Sequence, residues 1–251
     1  WRQEHSNAFT VAKAMQSDVL ADLRAGVDDA LANGTTLALF RKNLKPLLVE
    51  KGWWGKKTVI GPDGKQKEVT LGTPRRLKTI YDTNLRQAHS AGNWQQIQRT
   101  KASRPYLRYV HRFGKQKSEH ARPKHQHWHD VVRPVDDPIW DHIMPMNGFG
   151  CHCKVQSVNE RDLARYGLKV SPEIHLAKVA WRNPKTGETM MVTSGVDPGF
   201  DYNPGKQRFV PPTPGLKPPP TTNSRIRRKS EKVASPEYWQ KQYQSKYGDA
   251  A

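Results

Sequence analysis

The densest group of ligating side chains in the sequence lies between residues 125 and 153. This stretch contains both cysteines of the chain and five of its ten histidines. His125 and His129 stand four residues apart, so on a helix their imidazoles would point the same way. Cys151 and Cys153 stand two apart, so on a strand their sulfurs would face one side. Two nitrogens and two sulfurs make a tetrahedral donor set, and we predict a structural zinc site from these four residues.

Two other interpretations of this stretch stay open from the sequence. The cysteines could be small strand residues, with both histidines satisfied by backbone hydrogen bonds. The stretch could also be catalytic, since it has further candidate bases, namely His127, Asp130, Asp136, Asp137 and Asp141. Their spacing matches no nuclease motif, and Asp136-Asp137-Pro138 is typical of a turn. A zinc ion with four protein ligands has no open position, so we expect a non-enzymatic protein.

Charge indicates the kind of partner that this chain meets. Its 251 residues include 42 Lys plus Arg against 23 Asp plus Glu, which gives a formal charge of +19. Such an excess attracts polyanions, above all nucleic acid.

No apolar run approaches the ~20 residues of a membrane helix, so we expect no membrane contact. Two closely spaced cysteines indicate reduced thiols and a reducing cytoplasm. The chain opens at Trp1, and we expect a fragment of a longer product.

The elements that position these side chains are predicted to form an α+β protein with a mainly helical N-terminal region, residues 1–100. Apolar residues at four-residue spacing predict a helix over 7–33, and a second helix follows with Thr36 as its N-cap. A Pro-Asp-Gly turn predicts a hairpin at 58–70. A third helix is predicted to begin near Pro74 and to end near Thr100.

Residues 101–205 are predicted to form a small α+β module with short strands. "YLRYV" and "CHCKVQSV" predict strands, residues 124–130 a short helix, and "NERDLARYG" a capped helix that ends at Gly167. "KVAWRNPKTGETMMVTSG" predicts a hairpin. Large aromatic residues in a small module usually form its core, so we expect Trp128, Trp140 and Phe149 to be buried.

Residues 206–251 are predicted to form an extended, Pro-rich basic tail with a short aromatic C-terminal helix. Between residues 206 and 232 the tail has eight basic residues and one acidic residue. These eight are the candidate nucleic-acid-binding residues: Lys206, Arg208, Lys217, Arg225, Arg227, Arg228, Lys229 and Lys232. Trp239, Tyr243 and Tyr247 would share one helical face, which favours docking on a protein partner over stacking on bases.

The order of these motifs resembles that of the bacteriophage Mu protein F-like minor head proteins, also called head morphogenesis proteins. The matching residues are Arg122, His125, Trp128, His129, Pro134, Pro138, Trp140, Pro145, Asn147, Gly148, Cys151 and Cys153. "NAFTVAKAM", "RRLKTIYDTNLRQAHSAGNWQQIQRTK" and "GVDPGFDYNPG" agree as well, so the resemblance spans roughly residues 7–205. The chain departs from the family pattern at Asp130, where glycine is usual, and at His152, where arginine is usual.

The resemblance implies a minor protein of a tailed-phage head that acts in head assembly and DNA packaging. Its partners would be the portal protein, the major capsid protein or both, together with double-stranded DNA. It would reside inside the virion, and in the host cytoplasm during assembly. A nuclease or toxin-like effector carried in the head is the alternative. A cellular DNA- or RNA-binding protein would explain the charge but not the order of the motifs.

Overall fold

The structure is a computed structural model that describes residues 9, 11, 14, 16–60, 65–112, 123–184 and 187–206. These residues form two compact units: an N-terminal unit of residues 9–81 and a C-terminal unit of residues 82–206. The domain boundary after residue 100 stays a prediction from the sequence. The architecture confirms the α+β class. Within the described ranges, no helix is long and apolar enough to cross a membrane.

The N-terminal unit begins with helix α1, Ser17–Asn33, which buries Val19, Leu23, Val27 and Ala30 along one face. Gly34 ends the helix in the left-handed conformation, with φ of 66°. The predicted start at residue 7 is wrong for the described positions: residues 9, 11, 14 and 16 are not helical. Gln16 has an extended backbone, which sets the start of the helix at Ser17.

Helix α2, Leu37–Glu50, follows, and Thr36 caps it as predicted by accepting a hydrogen bond from the Leu39 amide. The predicted hairpin is also confirmed. Strand β1, Lys56–Ile60, pairs antiparallel with strand β2, Gln66–Thr70. Helix α3, Pro74–Thr100, then has the bounds that the sequence predicts.

The C-terminal unit is built around a three-stranded antiparallel sheet. Its strands are β3, Tyr106–Val110, β4, Val132–Pro134, and β5, Lys154–Val158, in the order β4-β3-β5. Leu107 and Tyr109 point from one face of β3 into the main core. The other face buries Val132 and Val158 against helix α6, Glu160–Tyr166.

Among its described residues, this unit also contains two short helices and a second hairpin. The helices are α4, Pro123–Gln126, and α5, Trp140–Ile143. The hairpin pairs β6, Lys178–Arg182, with β7, Thr189–Thr193, as the sequence predicts. The Asn159 cap and the left-handed Gly167 that bound α6 are likewise confirmed.

Three local predictions in the C-terminal unit are wrong. The helix expected over 124–130 ends at Gln126, and residues 127–130 form turns in which Asp130 has a positive φ of 63°. The cysteines precede β5 rather than lying in it. Trp128 and Trp140 are buried as expected, but Phe149 is 56% exposed and packs edge-on against Phe200 instead of entering the core.

Candidate metal centre

Three of the four predicted zinc ligands meet in the C-terminal unit. His125 comes from the single turn of α4, and Cys151 and Cys153 come from the loop that leads into β5. Their candidate ligand atoms all lie within 4.8 Å of one another. His125 and Cys151 are almost fully buried, at 1% and 2% exposure, and Cys153 is half-buried. The cluster therefore joins two chain segments at the wall of the core.

The distances in this cluster suit a tetrahedral metal ion. His125 Nδ1 lies 3.6 Å from Cys151 Sγ and 3.6 Å from Cys153 Sγ. Zinc binds sulfur at about 2.3 Å and imidazole nitrogen at about 2.0–2.1 Å, so two such ligands at the tetrahedral angle lie about 3.6 Å apart. One imidazole and two thiolates are also the donor types that zinc prefers. The residues present therefore fit a zinc ion.

A hydrogen bond on the far side of the ring fixes the orientation of His125. Its Nε2 lies 2.7 Å from the carbonyl oxygen of Gly195. A carbonyl oxygen can only accept, so Nε2 carries the proton and donates. The lone pair of Nδ1 then faces the two sulfurs. This arrangement, in which the second ring nitrogen is tied to a carbonyl, is typical of histidines that bind metals.

The loop that supplies the Gly195 carbonyl is held by further hydrogen bonds. The Asp197 amide donates to the Asn147 carbonyl, at 2.9 Å. The buried carboxylate of Asp201 accepts from the Thr193 hydroxyl, at 3.1 Å, and pairs with His142 Nδ1, at 2.8 Å. The sequence marked this "GVDPGFDYNPG" segment through the resemblance but gave no sign that it would orient His125. Gly195 is therefore a site residue that sequence reasoning missed.

Aromatic groups enclose the cluster. The Trp128 ring stacks on His125 at a centroid distance of 5.2 Å and meets Tyr109 edge-on at 5.6 Å. The buried Asn147 amide donates to the Tyr109 hydroxyl, at 3.0 Å. Burial raises the pKa of Tyr109 well above its ordinary value, so the phenol keeps its proton beside the sulfurs. Tyr109 and Asn147 were not predicted as site residues, because only the folded chain brings them here.

The two thiols influence each other strongly. A hydrogen bond from the Cys153 thiol holds the pKa of Cys151 well below its ordinary value. The same bond raises the pKa of Cys153, because its loss of a proton would break the bond and place two thiolates side by side in a buried site. Ionisation of one thiol therefore opposes ionisation of the other, and a bound cation would stabilise both thiolates.

His129, the fourth predicted ligand, does not join the cluster. Its Nδ1 lies 3.3 Å from the backbone nitrogen of His111. The prediction relied on helical spacing between His125 and His129, but α4 ends at Gln126, so that geometric relation is lost. Among the residues that the structure describes, the group of metal-ligating side chains has three members.

The acidic side chains of the alternative catalytic interpretation are engaged in ion pairs. Asp130 pairs with Arg108 at 2.7 Å, Asp136 with Lys101 at 2.8 Å, Asp137 with Arg133 at 2.5 Å, and Asp141 with Lys206 at 2.5 Å. Asp137 also accepts a hydrogen bond from the Ile139 amide, at 2.9 Å, which confirms the predicted turn. Each carboxylate is thus held by a positive charge next to it.

One predicted nucleic-acid-binding residue, Lys206, lies within the described part of the chain. Besides its ion pair with Asp141, its ammonium group sits over the Trp94 ring, 5.4 Å from the centroid. The other seven lie outside the described residues: Arg208, Lys217, Arg225, Arg227, Arg228, Lys229 and Lys232. The predicted aromatic C-terminal helix and Arg122 also lie outside them.

The fold and the site together define an α+β protein with a buried histidine–dicysteine cluster at the edge of a small antiparallel sheet. Residues 21–156 match the model of the family described as Phage Mu protein F like protein. The chain belongs to this family, as its motifs predict. The match includes all three members of the cluster.

Two curated relatives share 36% identity with this chain over an alignment of 219 residues, and each match covers 82% of the chain. One is the "Putative capsid assembly protein F" of Escherichia phage Mu, of which the match covers 49%. The other is the "Mu-like prophage FluMu F protein" of Haemophilus influenzae, of which it covers 51%. The chain therefore spans about half the length of the curated relatives it matches. No solved structure matches it.

Proposed function

We propose that this chain is a minor head protein of a tailed phage that acts in head assembly and DNA packaging. The observation that carries the proposal is the 36% identity to the capsid assembly protein of phage Mu over 82% of the chain. A single shared motif would support only a common module, whereas similarity of this extent supports a common role. The partners would be the portal protein, the major capsid protein or both, and the site of action the capsid interior.

Zinc has a structural role in this proposal. The ion would be held by His125, Cys151 and Cys153, and it would fasten α4 to the loop before β5. What supports this is the 3.6 Å spacing of the donor atoms and the burial of the cluster. Bound zinc would supply charge neutralisation for the two thiolates. His129 remains a predicted fourth ligand from sequence, but its position gives it no part in the cluster.

DNA would be contacted by the basic tail that begins at Lys206. Lysine and arginine contacts to phosphate are independent of sequence and release counterions, so DNA affinity should fall steeply as salt rises. DNA binding that stays constant between about 50 and 200 mM salt would contradict this mechanism.

Complementation tests the head-assembly role. The gene is deleted from the phage or prophage that encodes the chain, and the wild-type full-length gene is supplied from a plasmid. Particles are counted by electron microscopy, their DNA content is measured, and the chain is sought by mass spectrometry in purified heads. We expect deletion to reduce filled heads and the plasmid to restore them. Normal numbers of filled heads without the gene would overturn the proposal.

A second candidate function, that of a metal-dependent nuclease or toxin-like effector, is favoured by one observation. The described cluster has three protein ligands, and catalytic zinc sites commonly have three protein ligands and a water. The burial of the cluster and the paired carboxylates argue against it. Cleavage of DNA or RNA by the purified chain, dependent on added zinc and lost in Cys151→Ser, would establish this alternative.

A further inference from the structure

The hairpin of β1 and β2 has features of a binding ribbon rather than of a packing element. Every residue of β1 is exposed, and β2 is exposed apart from the half-buried Val69. Ile60 is 75% exposed. A two-stranded hairpin in water is marginally stable by itself, and this one buries almost none of its side chains. Its residue types are therefore not explained by core packing.

The base of the hairpin is fixed firmly to the N-terminal unit. Gly55 and Gly72 exchange hydrogen bonds with the chain across the base: the Gly55 amide donates to the Gly72 carbonyl, at 2.9 Å, and the Gly72 amide to the Trp53 carbonyl, at 3.1 Å. A Cβ atom on Gly72 would lie 2.5 Å from that Trp53 carbonyl oxygen. Trp53 itself is buried. The ribbon therefore starts from a rigid support.

The antiparallel register gives the two faces of the hairpin different charges. Lys57 pairs with Val69, and Val59 pairs with Lys67, so these four residues share one face. Lys65 precedes β2 and continues the alternation of that face. We name this face the lysine face, and its members are Lys57, Lys65, Lys67, Val59 and Val69. None of these residues is acidic.

The opposite face is neutralised internally. Lys56 lies there and forms an ion pair with Glu68, at 2.8 Å. Thr58, Ile60 and Gln66 add no charge to it. Lys57 and Lys67, by contrast, are exposed, and within the described residues neither has a carboxylate within ion-pair distance. The charge of the ribbon is thus directed to one side.

The basic residues of the N-terminal unit lie mainly outside helix α1. Outside the hairpin, residues 37–55 and 71–80 contain seven basic residues and one acidic residue, for a net charge of +6, whereas α1 contains one basic and four acidic residues. The acidic residues of α1 partly neutralise Lys51, which Asp22 contacts at 2.5 Å. The hairpin therefore lies in the basic part of its unit.

We propose that the lysine face of this hairpin binds the phosphate backbone of double-stranded DNA, as a second contact besides the tail. This inference rests on the proposed packaging function. A two-stranded ribbon fits the major groove of DNA, and same-face residues along a strand stand about 6.8 Å apart. Lysine contacts phosphate as a point charge and valine has no hydrogen-bonding group, so we expect this face to bind the phosphate backbone. Binding is independent of sequence.

The test compares two triple variants of the full-length chain that lose the same charge. The ribbon variant is Lys57→Gln, Lys65→Gln, Lys67→Gln. The matched control, Lys154→Gln, Lys169→Gln, Lys178→Gln, removes three exposed lysines from the C-terminal unit. Affinity for a labelled mixed-sequence duplex is measured by fluorescence anisotropy across a salt series, with circular dichroism as a check of folding. A third variant replaces the seven basic residues of the tail between 208 and 232 with glutamine.

We expect the ribbon variant to bind at least about tenfold more weakly than the control at low salt, with a salt dependence less steep by about 2–3 in log–log slope. An equal loss of DNA affinity in the two triple variants would overturn the proposed hairpin contact, because net charge alone would then explain the loss. A loss of DNA affinity in the tail variant alone would overturn the proposed hairpin contact and leave the proposed tail contact intact. If the wild-type chain binds no DNA, both DNA contacts fail, while the complementation test still decides the role in head assembly.

Discussion

At the scale of single residues, the orientation of one imidazole decides whether the cysteines can share a metal ion. His125 is locked by the Gly195 carbonyl with Nδ1 toward both sulfurs. We therefore expect His125→Ala, Cys151→Ser and Cys153→Ser each to lose zinc. Removal of one ligand or of its supporting bond commonly lowers metal affinity at least 10–100-fold. Zinc per chain is measured by mass spectrometry after dialysis against metal-free buffer.

The histidine outside the cluster provides the control for this measurement. His129 follows the end of α4, and its Nδ1 lies 3.3 Å from the His111 backbone nitrogen. His129→Ala should therefore retain zinc at the wild-type ratio. Loss of zinc in His129→Ala but not in His125→Ala would show that the cluster is not the site. An absence of zinc from the wild-type chain, with both thiols freely reactive, would reject the centre altogether.

Glycines in the C-terminal unit give a second prediction for single residues. A Cβ atom on Gly205 would overlap the Trp94 Cβ, whereas a Cβ on Gly92, exposed on the same helix as Trp94, would meet nothing within 4 Å. Gly205→Ala should lower the free energy of unfolding by about 1–3 kcal/mol through overpacking. Gly92→Ala should raise it by about 0.5–1 kcal/mol, since alanine favours the helix. Urea unfolding of both variants measures the contrast, and similar effects of the same sign would contradict it.

At the scale of elements, helix α6 depends on the cap at its start. The Asn159 side chain accepts from the Asp162 amide, at 2.9 Å, and the Asp162 carboxylate accepts from the Asn159 amide, at 3.3 Å. Asn159→Ala should cost about 1 kcal/mol of unfolding free energy, while Asn159→Ser should keep most of it. Denaturant unfolding followed by circular dichroism compares the two. Equal losses in both variants would mean that the reciprocal cap is not what stabilises α6.

Elements whose signals are local were predictable from sequence, and those shaped by distant contacts were not. Thr36, Pro74 and Gly167 mark helix ends through capping and backbone preferences that act within one turn, and the structure confirms all three. The prediction of a helix over 124–130 is wrong, because the Asp130 amide donates a hydrogen bond to the Tyr109 carbonyl, at 2.9 Å, and holds these residues near the sheet. That contact joins positions far apart in sequence, and no local pattern encodes it.

At the scale of the whole molecule, the site assembles from segments that only the fold brings together. Residue type and spacing were enough to find His125 and both cysteines, since few side chains bind soft metals. They were not enough to exclude His129 or to find Gly195, which lies 70 residues beyond His125. A glycine that acts through its carbonyl has no side-chain signature. Its role follows from the loop that Asp201 and Thr193 hold in place.

The two compact units should respond differently to metal removal, which gives a prediction for the whole molecule. The cluster lies in the C-terminal unit, and a ligand that binds only the folded state stabilises it by RT ln(1 + [L]/Kd), about 4 kcal/mol at a thousandfold excess over Kd. A strong chelator should therefore lower the thermal midpoint of the zinc-loaded chain. Hydrogen exchange should accelerate in residues 82–206 and stay unchanged in residues 9–81. The Cys151→Ser, Cys153→Ser double variant should show no response to chelator. If the chelator speeds exchange equally in both units, or affects this variant as much as the wild type, the stabilisation does not come from the cluster.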